Sequence, residues 1–448
     1  MRIPVRIFPA VVLFLLVTML SSPAFAKTLC VNTSGSGGCF KTIQGAVNAA
    51  AANDVIQVAA GTYTQMITIW QPVALMGAGS GQSVINATGL AHGIFVDGYD
   101  HQGLQNVSIV GFTVKNAQFE GILVVSAWDV TIRNNSVVDN DASQGLSFTG
   151  AATGCPNQPG DGVYENDETG DCGGAIHLIG TADSTISNNF ISGNADGLLL
   201  SDETGETHNN SIIENTVVNN PLECGIVLAS HPPAGHITAP YAPHWGVDNN
   251  TIVGNTSENN GVQVGGAGVG FFSDGMGQGR VTGNVAAGNK LVGNGIAGVA
   301  LHTHVGPSFG LPADNLSGNS IIGNWISGNG ADSNDTATPG TVGININSGG
   351  GGSPVLDTTI ASNTITNEDV DIAVNTPAEV DAHLNNLLGG KIGVANICAF
   401  DKAKACSGSV DATENYWGCP SGPGGASCST VNGSPIRIAP SLGSSTSY

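Results

Sequence analysis

Single apolar residues alternate with small polar ones through most of the chain, and asparagine punctuates them at five-residue intervals. Seven blocks align on this pattern: TIRNNSVVDN (131–140), TISNNFISGN (185–194), SIIENTVVNN (211–220), TIVGNTSENN (251–260), RVTGNVAAGN (280–289), SIIGNWISGN (320–329) and TIASNTITNE (359–368). One column of this alignment holds Asn135, Asn189, Asn215, Asn255, Asn284, Asn324 and Asn363. A second holds Asn140, Asn194, Asn220, Asn260, Asn289 and Asn329. Period-two alternation over three to five residues predicts short strands. Each block is followed by a further strand led by Gly or Ala, as in GILVV, GLSFT, AIHLI, GLLLS, GIVLA, GVGFF, GVALH and GININ. Successive blocks lie 26 residues apart (Asn189 to Asn215), 40 (Asn215 to Asn255) or 54 (Asn135 to Asn189), so a basic coil in the low twenties carries insertions.

Strands this short cannot bury an apolar face alone, but stacking at about 4.8 Å per coil joins them into one core. The pattern therefore predicts an all-β fold, a single parallel β-helix solenoid over residues 61–440. Inward Asn side chains would hydrogen-bond to their copies above and below. A short capping helix at 42–52 lies within an N-terminal cap at 27–60, and 441–448 reads as a tail.

Two further stretches carry a resemblance. KTIQGAVNAAAANDVIQVAAGTYTQMITI (41–69) and ATENYWGCPSGPGG (412–425) resemble the opening and closing segments of the secreted right-handed parallel β-helix proteins of the pectin-lyase-like superfamily. The second retains Asn415, Trp417, Gly418, Gly422 and Pro423. The resemblance covers residues 40 to 440 and implies a right-handed solenoid. It implies no one activity, because that superfamily holds lyases, hydrolases, epimerases and adhesins. The polygalacturonase motifs, the Tyr-Gly-(Phe/Val)-Asp-Pro-His motif of alginate epimerases and the calcium nonapeptide are all missing from the sequence.

Residues 1–26 read as a cleaved export signal, with Arg2 and Arg6, an apolar run from Val11 to Leu20, and Ala24-Phe25-Ala26 at the cleavage point. No later run is apolar enough to span a membrane. The protein is thus expected outside the cytoplasm, secreted or at the cell surface. A net charge of −22, with arginine after the signal only at 133, 280 and 437, argues against nucleic acid and anionic lipid as partners. Nine cysteines in an exported chain suggest disulfides. The close pairs are Cys30/Cys39, Cys155/Cys172, Cys398/Cys406 and Cys419/Cys428, which leaves Cys224 as a small buried thiol.

Counted from the leading Gly of each strand, positions +1 and +3 are the inward apolar pair, and +2, +4 and +6 are expected to face solvent. Position +6 in four successive coils is Glu203, His231, Asp274 and His304, with His302 at +4 and His177 at +2. A stacked row alternating carboxylate and imidazole suits acid/base work, so these four are the catalytic candidates. Insertions at 151–173, 231–247 and 305–317 are expected to leave directly after these strands and wall the row. They supply Tyr241, Trp245 and Phe309 as platforms for sugar rings, with His177 and His302 as further contacts. Asp161, Asp167 and Asp171 in the acidic insertion are a candidate Ca²⁺ set. The implied function is action on, or binding of, an extracellular polysaccharide as a hydrolase or lyase. The alternative is a non-catalytic surface or matrix β-helix.

Overall fold

The computed structural model describes residues 26–140, 174–230, 245–273, 278–303, 306–307, 310–332, 338–347, 352–375, 377–397 and 408–446. Among these, almost every strand belongs to one of three long parallel sheets of 14, 11 and 12 strands. The first runs from Thr28–Val31 to Ile436–Arg437, the second from Gly61–Thr64 to Asn386–Leu388, and the third from Ile67–Ile69 to Thr430–Gly433. A coil visits them in turn, as Thr185–Ser187, Phe190–Ser192 and Asp196–Ser201 do, before the chain steps to Ser211–Ile213 one level up. This is the parallel β-helix that the pattern predicts. The cap helix spans Ile43–Ala49, shorter than expected, and Thr42 caps it by accepting a hydrogen bond from the Gly45 amide at 3.1 Å.

Register carries the single inward residue of each strand into a continuous apolar interior. In the first sheet Ile132, Ile186, Ile212 and Ile252 stack, and in the second Val137, Ile191 and Val217 do. With Leu198, Ile226, Val269 and Val299 of the third sheet they form one cluster that extends from Val31 to Cys428. Trp417, fully buried, closes its far end.

Three Asn ladders fix the corners between sheets. At the first corner the ladder runs Asn135, Asn189, Asn215, Asn255, Asn289, Asn324, Asn363, Asn385, Asn415. Each Oδ1 accepts from both the backbone N–H and the Nδ2 of the residue one coil earlier: Asn215 Oδ1 takes Asn189 N and Nδ2, both at 3.0 Å. The other Nδ2 proton goes to a carbonyl, so Asn215 donates to Ile186 O at 2.9 Å. The amide is fully satisfied without water. A second ladder runs from Asn140 through Asn194, Asn220, Asn260 and Asn294 to Asn329, and a third joins Asn210, Asn250, Asn284 and Asn319. The structure corrects the sequence alignment in one coil: Asn284 lies in the third ladder, Asn289 in the first and Asn294 in the second. Three asparagines at five-residue spacing in this coil allow a slip of one strand. The residue before a first-ladder Asn turns left-handed, as Asn188 (φ 54°), Gly254 (φ 66°) and Gly288 (φ 62°) do, which explains the repeated Asn-Asn and Gly-Asn pairs.

The leading Gly of the third-sheet strands has an equally local reason. A Cβ on Gly225 would sit 2.0 Å from Ser257 Oγ and 2.7 Å from Asn260 Nδ2, inside the second ladder. Residues −1 and +2 flank this point and share the outer face, as Ala267 and Ala300 show by packing in one outer cluster.

Cys30–Cys39 and Cys419–Cys428 are disulfide-bonded, as expected, and Cys224 is free. Burial pushes the Cys224 thiol far up. Cys155, Cys172, Cys398 and Cys406 lie outside the described residues.

The second ladder ends on an acid. Glu368 Oε1 accepts from Asn329 N at 2.9 Å and Asn329 Nδ2 at 3.0 Å, and burial pushes its carboxyl to about 7 despite these bonds. Burial also raises the nearby Asp371 carboxyl well above the ordinary range. A carboxyl raised in the folded state binds protons that the unfolded chain has lost. Its stabilisation is therefore complete below the unfolded value near 4.5 and is lost as pH rises through about 7. The melting temperature of the wild type should fall between pH 5 and 8, and Glu368→Gln should flatten that fall, by on the order of 3 kcal/mol at pH 8. Thermal melts of both proteins across this range test it. Asn215→Leu should cost about 1–3 kcal/mol by stranding its buried neighbours, whereas Ser187→Ala on the outer face should stay within ~0.5 kcal/mol. Equal losses in denaturant titrations would show that the ladder is not structural.

Candidate functional site

The outer face of the third sheet is not the open surface that alternation suggests. His177 is 0% exposed, Glu203 2% and His302 7%. Their columns are mostly apolar: Leu123, His177, Leu199 and Val227 are in register, as are Ile179, Ser201, Ala229, Phe272 and His302. They pack into small clusters of their own, such as Leu199, Val227 and Ala229 against Phe272. Strands such as GLLLS and AIHLI are apolar on both faces, which marks parallel strands buried on both sides. The expectation that +2 and +4 face solvent is therefore corrected.

Within that layer His92 Nδ1 and Glu120 Oε2 meet at 2.6 Å with both side chains fully buried, flanked by Phe95 and Phe119. Burial would raise the Glu120 carboxyl, but the His92 charge, the hydrogen bond to it and the field of His177 hold it below the ordinary value. His177 Nε2 lies 2.9 Å from Ser201 Oγ. This network joins neighbouring coils and is shielded from solvent.

Of the catalytic row only Glu203 falls within the described residues. His231, Asp274 and His304 lie outside them, as do Tyr241, Phe309, Asp161, Asp167 and Asp171. The insertion at 151–173 likewise lies outside the described residues. In chain order it lies between the second-sheet strand Ser136–Val138 and the third-sheet strand Gly174–Ile179. Residues 231–244 do follow such a strand, Ile226–Ser230. Residues 304–317 likewise follow Ala297–Thr303.

Exposed chemistry gathers at the corner where the third sheet hands over to the first. A cleft of about 430 Å³ opens there, lined by Gly98, Tyr99, Gln102, Ser126, Trp128 and Thr204. Tyr99 is 37% exposed and Trp128 38%, large values for aromatic residues in a folded chain. Trp128 Nε1 donates to Gln105 Oε1 at 2.9 Å, which fixes the indole plane, and the Ser126 and Thr204 hydroxyls lie 2.8 Å apart. Beside the cleft, Asp97 Oδ2 accepts from His101 Nδ1 at 3.2 Å, and Asp97 Oδ1 takes the Asp100 amide at 3.0 Å. The Trp70 ring tilts against His101 with centroids 6.3 Å apart. With Nδ1–H held by the carboxylate, His101 presents Nε2 as its basic atom.

The corner continues upward through residues 202–206. Asp202 Oδ2 accepts from Ser230 Oγ at 3.0 Å and from the Gly246 amide at 2.6 Å. Arg280 Nη2 pairs with Asp248 at 2.6 Å and Glu206 at 3.2 Å, and donates to the carbonyl of Trp245. Trp245 is 39% exposed beside this cluster. Burial raises the Asp248 carboxyl, although the Thr282 hydroxyl and amide and the Arg280 charge oppose this.

Sequence reasoning missed Tyr99, Trp128, Asp97 and His101. Extending the +6 column three coils downward would have reached Tyr99, six residues after Gly93. Trp128 stands seven after Gly121. Among the described residues, the three metal-capable side chains that gather are Asp381, His383 and Asp411, on the first sheet and remote from this corner in sequence.

Residues 78–239 match the family described as right handed beta helix region. No curated protein matches the chain. Among solved structures, the chain is similar to the A-module of a mannuronan C-5 epimerase from Azotobacter vinelandii, with a TM-score of 0.52 at 14% identity over 90% of this chain and 94% of that one. It is also similar to the catalytic unit of a thermostable α-1,3-glucanase from Streptomyces thermodiastaticus, with a TM-score of 0.52 at 15% identity over 95% of this chain and 71% of that one. At these identities the likeness is one of fold. The three stacked parallel sheets and the matched region together give this chain the right-handed parallel β-helix fold.

Proposed function

We propose that the chain is a secreted β-helix protein that binds and acts on an extracellular polysaccharide along the corner between its third and first sheets. The observation that carries this reading is the cleft of Tyr99, Trp128, Gln102, Ser126 and Thr204. Sugar rings offer apolar C–H faces and a rim of hydroxyls. Two exposed aromatic rings meet the faces, and an amide with two hydroxyls meets the rim. At about 430 Å³ the cleft lies within the usual range for small-ligand sites, roughly 300–1,000 Å³. The similar folds of a mannuronan epimerase and an α-1,3-glucanase support a polysaccharide as the ligand class.

In this reading His101 is the general base or acid, oriented by Asp97 as a carboxylate orients an imidazole in catalytic pairs. Glu203, next in sequence to Thr204 of the cleft, is buried, and His231, Asp274 and His304 remain candidates on sequence grounds alone. Glu206, Arg280 and Trp245 extend the binding track. The export signal read in the sequence at 1–26 supports a location where such polymers occur, and no described helix is long and apolar enough to cross a membrane.

A second reading keeps the polysaccharide but removes the chemistry. Among the described residues the outer face of the third sheet is buried, which suits a rigid matrix or surface protein that holds glycan at the corner alone.

A panel of purified polysaccharides, read for new reducing ends and for the absorbance of unsaturated products, separates the two. Trp128→Ala should weaken binding of the responding glycan about tenfold, near 1.4 kcal/mol. His101→Gln should lower turnover by about 10²–10⁴ while leaving affinity unchanged. Binding that survives Trp128→Ala undiminished would move the site elsewhere. Binding without any product in the wild type would favour the second reading.

A further inference from the structure

The C-terminal coils of the first sheet hold a side-chain group unrelated to the corner. Strand Ala378–His383 turns Glu379, Asp381 and His383 to its outer face, and strand Ser409–Asp411 stacks on it with Asp411 directly in register with Asp381. Two carboxylates placed opposite each other on adjacent strands repel unless a cation stands between them. Arg437, in register one coil further, meets Asp411 Oδ2 with Nη1 at 3.1 Å, which offsets one of the two acids.

His383 is oriented for a second partner. Its Nδ1 lies 2.9 Å from the carbonyl oxygen of Thr413, an acceptor only, so Nδ1 carries the proton. The neutral ring then offers Nε2 as a lone pair, in the arrangement of metal-binding histidines whose other nitrogen donates to a backbone carbonyl. The Asp411 carboxylate is held in turn by the Thr413 amide at 3.1 Å. One donor atom from each of Asp381, His383 and Asp411 lies within 4.8 Å of the others. Ligands about 2.1 Å from a metal ion are at most about 4.2 Å apart, so the three side chains stand close enough for rotamer adjustment to bring them round one ion. Asp381 is exposed and the other two half-buried, so both the adjustment and the approach of an ion are open.

We propose that Asp381, His383 and Asp411 form a site for a borderline divalent cation of the Zn²⁺ class. Two carboxylates and one imidazole favour such an ion over Ca²⁺, which takes six to eight oxygens. Bound there, the cation ties Ala378–His383 to Ser409–Asp411, two coils whose neighbouring corner is the last rung of the first Asn ladder, Asn385 on Asn415. It neutralises the opposed acids and holds the C-terminal end of the solenoid against fraying. The role is structural and independent of the polysaccharide reading.

The test uses chelator-treated full chain titrated with Zn²⁺ by calorimetry and by melting, and with Co²⁺ by visible absorbance. One saturable equivalent should raise the melting temperature by several degrees, and Co²⁺ should give a d–d spectrum. His383→Ala and Asp381→Asn should each weaken that equivalent at least tenfold while melting like wild type without metal. Arg437→Gln, which removes the competing charge, should tighten it severalfold. If His383→Ala fails to fold, Asp381→Asn tests the same site from an exposed position. Zn²⁺ bound by these variants as well as by wild type, through other histidines, would overturn the proposal, as would the absence of any saturable equivalent.

Discussion

Stacked asparagine amides hold this molecule together. A solenoid coil must turn three times per level, and each turn withdraws backbone N–H groups from the sheet ladders. An Asn at the corner answers with a side chain that copies the peptide group: Oδ1 receives two donors from the coil below, and Nδ2 gives to the coil above and to a carbonyl. Because each rung serves its neighbours, the ladders stack every coil at one spacing and in one register. The apolar interior follows from that register, since Ile186, Ile212 and Ile252 meet only when Asn189, Asn215 and Asn255 do.

The corners differ in what they tolerate, and that difference distributes function. The first corner is closed by an unbroken ladder from Asn135 to Asn415 and a tight left-handed residue, so it admits no insertion. The corner from the third sheet to the first carries a ladder over part of its length, and its connections vary, from two residues after Ile122–Val125 to seven after Ile94–Asp97. Exposed Tyr99, Trp128 and Trp245, the Asp97–His101 pair and the Glu206–Arg280–Asp248 cluster all collect there. A rigid scaffold thus presents variable chemistry along one edge, the usual division between frame and loops.

Buried ionisable groups show where the repeat is broken. Glu368 replaces the Asn that would continue the second ladder and keeps the acceptor half of its role at the cost of a raised carboxyl. Glu120 with His92 lies at the opposite end of the same logic, an ion pair enclosed by Phe95 and Phe119 where outer-face columns are otherwise apolar. Desolvation governs both, and the nearest partner decides the direction: an amide leaves Glu368 high, an imidazole brings Glu120 down.

The parallel β-helix, the inward Asn columns, the cap helix and the pairings Cys30–Cys39 and Cys419–Cys428 were all legible in the order of residues. They rest on periodicity and short spacing, which survive without knowledge of distant contacts. Which face is open was settled only by the packing of coils. Alternation assigns a side chain to one side of a strand but cannot say whether that side is covered, and the third-sheet strands, apolar on both faces, bury His177 and His302, while Glu203 is buried in the turn after Asp196–Ser201. Nor could spacing alone choose among Asn284, Asn289 and Asn294, because a one-strand slip preserves the pattern and only hydrogen bonds between coils distinguish the ladders. The cleft of Tyr99 and Trp128 and the trio of Asp381, His383 and Asp411 arise from stacking residues about 30 apart in the chain. Such neighbours exist only once the coils are in register.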